Sequence, residues 1–318
     1  MTRAVARPRV TVIVPTYLRA DRLPGIVAAL ELQTFPPEDF DVIICDNCSP
    51  DETPEVLADL ASRTSLTLKV MRTPVNRGPG IARNVAWRTT DATLVAFMDD
   101  DCVPTPGWLE AGVAHFEESD VGVVQGRTLP DPAAQIAHFR GTQRIIGLTK
   151  RYETCNIFYR REALAAVGGF DENVYFFMED TVPGFAIRRM GAGDRFAYEA
   201  LVFHEVVPRG ARWTLRWAVL HKNWPYAVRR FPEIRRELLW ARIFLEPSHA
   251  SLLAAIAGAV AGIFWWPALA LAAPFLARHT PRYLRRQEFV NKLTDILFDV
   301  TVLGAVLYGS IRNRTLVL

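Results

Sequence analysis

Lysine is scarce in this chain: of 37 basic side chains in 318 residues, only Lys69, Lys150, Lys222 and Lys292 are lysines. Arginine therefore carries nearly all of the positive charge, and its planar guanidinium suits phosphate-rich substrates. A GC-rich coding sequence accounts for the bias equally well. No charge of one sign dominates, since 37 basic less 34 acidic side chains leave +3. That balance excludes a strongly basic nucleic-acid binder. Cysteine is sparse too: Cys45, Cys48, Cys102 and Cys155 are too few for a disulfide framework in a chain of this length. Cys45 and Cys48 form a CxxC with no second pair and no histidine pair, so a zinc site is not expected and reduced cytosolic thiols fit better. Internal repeats and low-complexity tracts are absent. Near the N-terminus, Arg3, Arg7 and Arg9 precede the apolar run Val10–Val14. That run is too short for a signal peptide and ends on Pro15, so the catalytic part is expected inside the cell.

What the chain does have is a change of character near residue 210, giving expected domains at 1–210 and 211–318. In the first, Val10–Val14, Asp41–Cys45, Leu66–Met71 and Thr93–Met98 read as strands. Helical patterns at Leu23–Leu32, Glu55–Ser62 and Ile81–Trp87 separate them. Such alternation implies an α/β fold with a mixed, mostly parallel sheet. Sheets of that kind bind ligands beyond the carboxyl ends of their strands. Chemistry is therefore expected just after Val14, Cys45 and Met98.

Those positions carry it. Asp99, Asp100 and Asp101 close the fourth strand, and Asp46-Asn47 follows the second. Clustered carboxylates repel one another and favour a nearby cation, and Mg²⁺ or Mn²⁺ would take their oxygens while bridging to substrate phosphates. A solvated acidic turn is the other reading of the triple aspartate by itself. Asn76-Arg77-Gly78-Pro79-Gly80, leading to Arg83, reads either as a loop that approaches a phosphate or as an ordinary glycine-rich helix start. Glu179-Asp180 stands before a helix, where acids also complement the helix dipole.

Taken together and in this order, the segments resemble glycosyltransferase family 2, inverting enzymes with a Rossmann-like GT-A fold, in its membrane-associated bacterial form. The resemblance runs from about Val10 to Glu205. It implies that Pro15, Thr16 and Tyr17 form the turn after the opening strand. It likewise implies that Asp46 contacts the nucleotide base, and that Asn76, Gly78 and Arg83 lie against the nucleotide. Asp99 is implied on the ribose side with Asp100 beside it, while Asp101, Asp99 and His204 hold Mg²⁺ or Mn²⁺. Asp180 is the implied base, with Glu179 as its neighbour. Cys48 stands where the family has glycine, which suggests a different turn. After Asp180, Val182, Pro183 and Ala186 stand where the family has an Asp, a Leu and an Arg, so the charged partners are lost; Arg188 or Arg189 could compensate. Trp213-Thr214-Leu215-Arg216-Trp217 resembles the QxxRW motif of processive synthases without its glutamine. Arg216 lies on the acceptor or diphosphate side in that reading, or on an amphipathic helix end in the other.

The second domain reads as amphipathic and apolar helices. Trp213, Trp217 and Trp224 fall at helical spacing, and Pro225 is expected to end or kink that helix. Ala250–Ala277 is 28 residues without a charge, long enough to span a bilayer. Arg229, Arg230, Arg235, Arg236 and Arg242 precede it, and Arg278, Arg282, Arg285 and Arg286 follow. A single crossing would put one basic cluster outside, so a monotopic or re-entrant attachment is expected, with a two-span hairpin through Leu293–Ile311 as the alternative. The partners expected are a nucleotide-sugar donor, a lipid-linked or cell-envelope glycan acceptor and the cytoplasmic face of a bacterial plasma membrane, with no nucleic acid. Two other functions compete: a sugar-nucleotide-binding scaffold without activity, and a sugar nucleotidyltransferase. The second lacks its usual phosphate loop, because Pro15-Thr16-Tyr17-Leu18 stands there.

Overall fold

A computed structural model describes residues 9–134, 140–174, 176–280 and 286–318. Arg3, Arg7, Arg282 and Arg285 lie outside the described residues. The chain runs β1 (Val10–Thr16), α1 (Leu23–Glu31), β2 (Phe40–Asp46), α2 (Thr53–Arg63), β3 (Leu68–Arg72), α3 (Pro79–Trp87), β4 (Leu94–Met98) and β5 (Cys102–Pro104). It continues through α4 (Trp108–Ala114), β6 (Val121–Pro130), β7 (Arg140–Gly141), β8 (Asn156–Arg160), α5 (Arg161–Ala166), α6 (Thr181–Arg189), β9 (Gly193–His204) and β10 (Val207–Pro208). Helices α7 (Ala211–Ala218), α8 (Trp224–Arg230), α9 (Ile234–Leu238), α10 (Pro247–Gly262), α11 (Ala273–His279) and α12 (Arg286–Asn313) complete it.

Two compact units result. The first takes residues 1–135 and 142–206, the second 136–141 and 207–318. In the first unit eight strands form one sheet in the order β3-β2-β1-β4-β8-β6-β9-β5. Strands β1 to β4 pair in parallel; β1 and β4 are buried throughout and β2 nearly so, while β3, at the sheet edge, is largely exposed. β8 enters antiparallel to β4 and β6. The order reverses between β1 and β4, and that switch point opens a crevice beyond the strand ends. Register aims the residues into it: Thr16 pairs with Asp46, and Ile13 with Phe97. The core beneath is Val10, Val12, Val14, Leu23, Ile26, Leu30, Ile44 and Leu94, all at most 2% exposed.

In the second unit β7 and β10 form a two-residue antiparallel pair. Pro225 does not end a helix. It occupies the first turn of α8, where its missing N–H costs nothing. The 28-residue uncharged run is not one span. It bends after Gly262, passes through a short 3₁₀ segment at Trp266–Ala272 and resumes as α11. Among the described residues α12 is the one helix long and apolar enough to cross a membrane.

Candidate active site

The β1 end supplies the floor. Thr16 is buried with its hydroxyl unpartnered. The Tyr17 N–H donates to Asp100 Oδ2 at 3.2 Å, and Arg19 Nε stands 3.7 Å from Asp100 Oδ1. Asp100 is thus tied to the β1 loop. Burial, then the charge of Asp101, pushes its pKa up to about 7. Arg19 reaches on to Glu205, which Arg22 also engages. Sequence reading missed this Arg19–Glu205–Arg22 network, because its members lie some 180 positions apart.

Asp46, at the end of β2, is 1% exposed. Its Oδ1 accepts the Ser49 N–H at 2.9 Å, while Arg72 Nη1 pairs with Oδ2 at 2.9 Å. Arg72 was not foreseen. Asn47 and Asn76 join the neighbouring loops: Asn47 Nδ2 donates to Asn76 Oδ1 at 2.9 Å, which also accepts the Gly78 N–H. Gly78 sits at φ 93, a conformation that favours glycine. Cys48 sits at φ 64, a side chain held in left-handed backbone.

Arg83 is held between two carboxylates. It is 2% exposed, and its charge is met by carboxylates from two motifs. Nη2 donates to Asp99 Oδ1 at 2.7 Å, and Nη1 lies 3.6 Å from Glu179 Oε1. The guanidinium also stands 5.6 Å from the centre of the Phe170 ring. Gly80 likewise makes its close approach to Glu179, where an added Cβ would come within 3.3 Å of Cγ.

The acidic pair before α6 divides its exposure. Glu179 is buried at 4% and turned toward Arg83, whereas Asp180 is partly exposed. Burial, then the charge of Glu179, raises the Asp180 pKa well above the carboxylate range. The buried Tyr159 hydroxyl has no hydrogen-bond partner, and burial followed by the Asp180 charge raises its pKa. Phe177 and Met178, just before the pair, hold φ values of 71 and 77. Two successive strained residues of this kind persist where surrounding structure over-determines them, commonly at functional sites. Pro183 is accommodated within the first turn of α6, and Arg188 lies 3.4 Å from Asp194 Oδ2.

At the end of β9, His204 Nδ1 lies 2.8 Å from the Glu205 carbonyl oxygen, which only accepts. The proton therefore resides on Nδ1, and in the neutral ring Nε2 directs its lone pair at Asp101 Oδ1, 3.5 Å away. Two electron-rich atoms face to face suit a cation between them, and histidine ligands commonly donate their other N–H to a carbonyl in this way. Carboxylate and imidazole donors fit Mn²⁺ or Mg²⁺. Cys102 Sγ falls in the same group of atoms, within 4.8 Å. Burial raises its thiol pKa well above the ordinary value, and a soft sulfur is a poor match for a hard ion that prefers oxygen. Arg216 belongs to the second unit, exposed on α7 beside the stacked rings of Trp213 and Trp217.

A mixed sheet with carboxylates at the ends of β2 and β4 gathered at its switch point, and an acid pair beside them, has the architecture of the GT-A fold. The model of the glycosyl transferase family 2 matches residues 11–168. Over 217 residues the chain is 27% identical to glycosyltransferase AglE of Haloferax volcanii, covering 64% of this chain and 69% of AglE. Over 128 residues it is 34% identical to poly(ribitol-phosphate) beta-N-acetylglucosaminyltransferase TarS of Staphylococcus aureus, covering 38% of this chain and only 22% of TarS. Mannosyltransferase PcManGT from Pyrobaculum calidifontis, solved in complex with GDP-Man and Mn²⁺, aligns with TM-score 0.63 at 22% identity, over 98% of this chain and 88% of that one. The chain belongs to glycosyltransferase family 2.

Proposed function

We propose that this chain is an inverting, metal-dependent glycosyltransferase that builds a lipid-linked or cell-envelope glycan at the cytoplasmic face of the plasma membrane, with residues 1–210 catalytic and 211–318 membrane-attached. The observation that carries this reading is the Arg83 bridge. One guanidinium joins Asp99 of the triple aspartate to Glu179 of the acid pair, setting Asp180 beside the place where a diphosphate would lie. Pro15, Thr16, Tyr17, Asp46, Asn76 and Gly78 cradle the nucleotide, with Asp100 bracing the β1 loop. Asp101, Asp99 and His204 would hold Mg²⁺ or Mn²⁺, which when bound would neutralise the leaving diphosphate. Arg216 serves the acceptor or diphosphate side.

Asp180 accepts the proton of the acceptor hydroxyl as that oxygen attacks the anomeric carbon opposite the diphosphate. A new C–O bond forms, the bond to the diphosphate breaks, and the nucleoside diphosphate leaves with the electron pair. The membrane part of the reading is supported by the length and apolarity of α12. The Mn²⁺ and GDP-Man bound by PcManGT are consistent with the metal and donor chemistry. Proton NMR of the product formed from an α-linked nucleotide sugar tests the stereochemistry. A β-glycoside is expected; an α-glycoside would overturn the inverting mechanism.

A further inference from the structure

The uncharged run of the second unit ends in an apolar point. α10 and the 3₁₀ segment that follows it lie against one another because small residues let them. A Cβ on Gly258 would meet the Ala268 carbonyl oxygen at 2.6 Å, and one on Gly262 would meet Leu269 at 2.6 Å. The bend between these arms exposes four successive large apolar residues: Ile263 at 76%, Phe264 at 88%, Trp265 at 66% and Trp266 at 78%. Ile256 and Val260 on one arm, and Leu269, Leu271 and Leu276 on the other, extend the same surface. At the opposite end the character reverses. His279 Nε2 lies 3.5 Å from Asp299 Oδ2, and exposed Arg242 and Arg278 stand where the chain enters and leaves the hairpin.

We propose that this hairpin is a lipid-inserting element whose Ile263–Trp266 tip enters one leaflet of an anionic bilayer. The inference rests on the membrane reading above and names the surface that makes the contact. A protein-docking patch of this size carries a polar rim. Here no side chain from residue 252 to 277, tryptophan N–H groups aside, is polar. The layering matches a bilayer instead: an apolar interior at the tip, and arginines at the foot for anionic headgroups. Length sets the mode. The 16 residues of α10 rise about 24 Å, short of the roughly 30 Å hydrocarbon core. The hairpin therefore enters and leaves by one face, and both flanking arginines stay on one side.

The test uses the full-length chain and vesicles of phosphatidylcholine with phosphatidylglycerol, in a flotation assay. The variant carries Phe264→Ser, Trp265→Ser and Trp266→Ser, and unchanged circular dichroism verifies that it folds. Because these side chains pack on little in the protein, the fold should survive while vesicle partitioning falls at least about ten-fold. If the wild type floats and the variant floats equally well, the tip is not the contact, and the membrane reading stands on other elements. If the wild type binds no vesicle, both fall; loss of self-association in the variant would then assign the tip to a second copy of the chain.

Discussion

The Arg83 guanidinium lies 2.7 Å from the Asp99 carboxylate while nearly excluded from solvent. On its other side stands Glu179, 3.6 Å away and equally buried. One cation thus compensates two acids that belong to different motifs. Removing it leaves Glu179 with an uncompensated buried charge, which typically costs about 3–5 kcal/mol. Arg83→Met should therefore lower the urea midpoint strongly. Adding Glu179→Gln should restore part of that loss, since the charge left unpaired is gone. A double variant no more stable than Arg83→Met by itself would dissociate the two residues.

Asp180→Asn should abolish sugar transfer while donor binding persists. The amide keeps the shape of the carboxylate but takes no proton at neutral pH. A general base is worth about 10²–10⁴-fold, so kcat should fall at least a hundred-fold while calorimetric titration with nucleotide and metal is unchanged. Retention of a tenth of the wild-type kcat would move the role to another group.

The same environment fixes the direction of a pH effect. Burial and the Glu179 charge raise the Asp180 pKa, so the base stays protonated to a higher pH than a free carboxyl at about 3.9. As pH falls through the raised pKa, kcat/KM should fall with it, giving an acid limb well above pH 4. Glu179→Gln removes the neighbouring negative charge and frees Arg83 to act on Asp180. Both changes lower the pKa, so the limb should move to lower pH. A limb that moves upward contradicts the assigned coupling.

Much of this site could be read from the residue order, and the reasons are physical. Val12 to Val14, Ile43 to Cys45 and Val95 to Met98 are apolar runs of strand length, and the acids that follow them can only lie at strand ends. What resisted reading was pairing at long range. Nothing local tells Arg83 apart from a solvent-facing helix residue. Its burial follows from Phe170 and Glu179 arriving against α3, nearly a hundred positions later. Pro225 was legible as a break in a helix, but proline can equally begin the next helical segment, and here it does.

Cys48 offers a stability test independent of chemistry. Its φ of 64 is a conformation that costs a non-glycine residue about 1–2 kcal/mol. Glycine removes that strain but gives back about 0.4–1 kcal/mol through a freer unfolded chain. The Sγ contact to the Pro74 carbonyl, at 3.5 Å, is weak and exposed. Cys48→Gly should thus raise stability by about 0.5–1 kcal/mol in urea melts. A destabilised variant would mean that the cysteine side chain contributes more than its contacts suggest.

The last prediction concerns His204. Its Nδ1 lies 2.8 Å from the Glu205 carbonyl oxygen, and its Nε2 faces Asp101 Oδ1 at 3.5 Å. Were the pair purely structural, His204→Gln could replace it, and metal response would be unaltered. As a ligand, the ring supplies a nitrogen that an amide oxygen replaces only poorly, and manganese should feel that loss more than magnesium, which prefers oxygen. His204→Gln should therefore weaken Mn²⁺ binding about ten-fold or more, in the range typical of losses at a metal site's supporting groups. The readout is electron paramagnetic resonance of free Mn²⁺ in the presence of a nucleoside diphosphate, which needs no turnover. Equal Mn²⁺ affinity in variant and wild type would remove the histidine from the metal site and leave Asp101 and Asp99 to hold the ion.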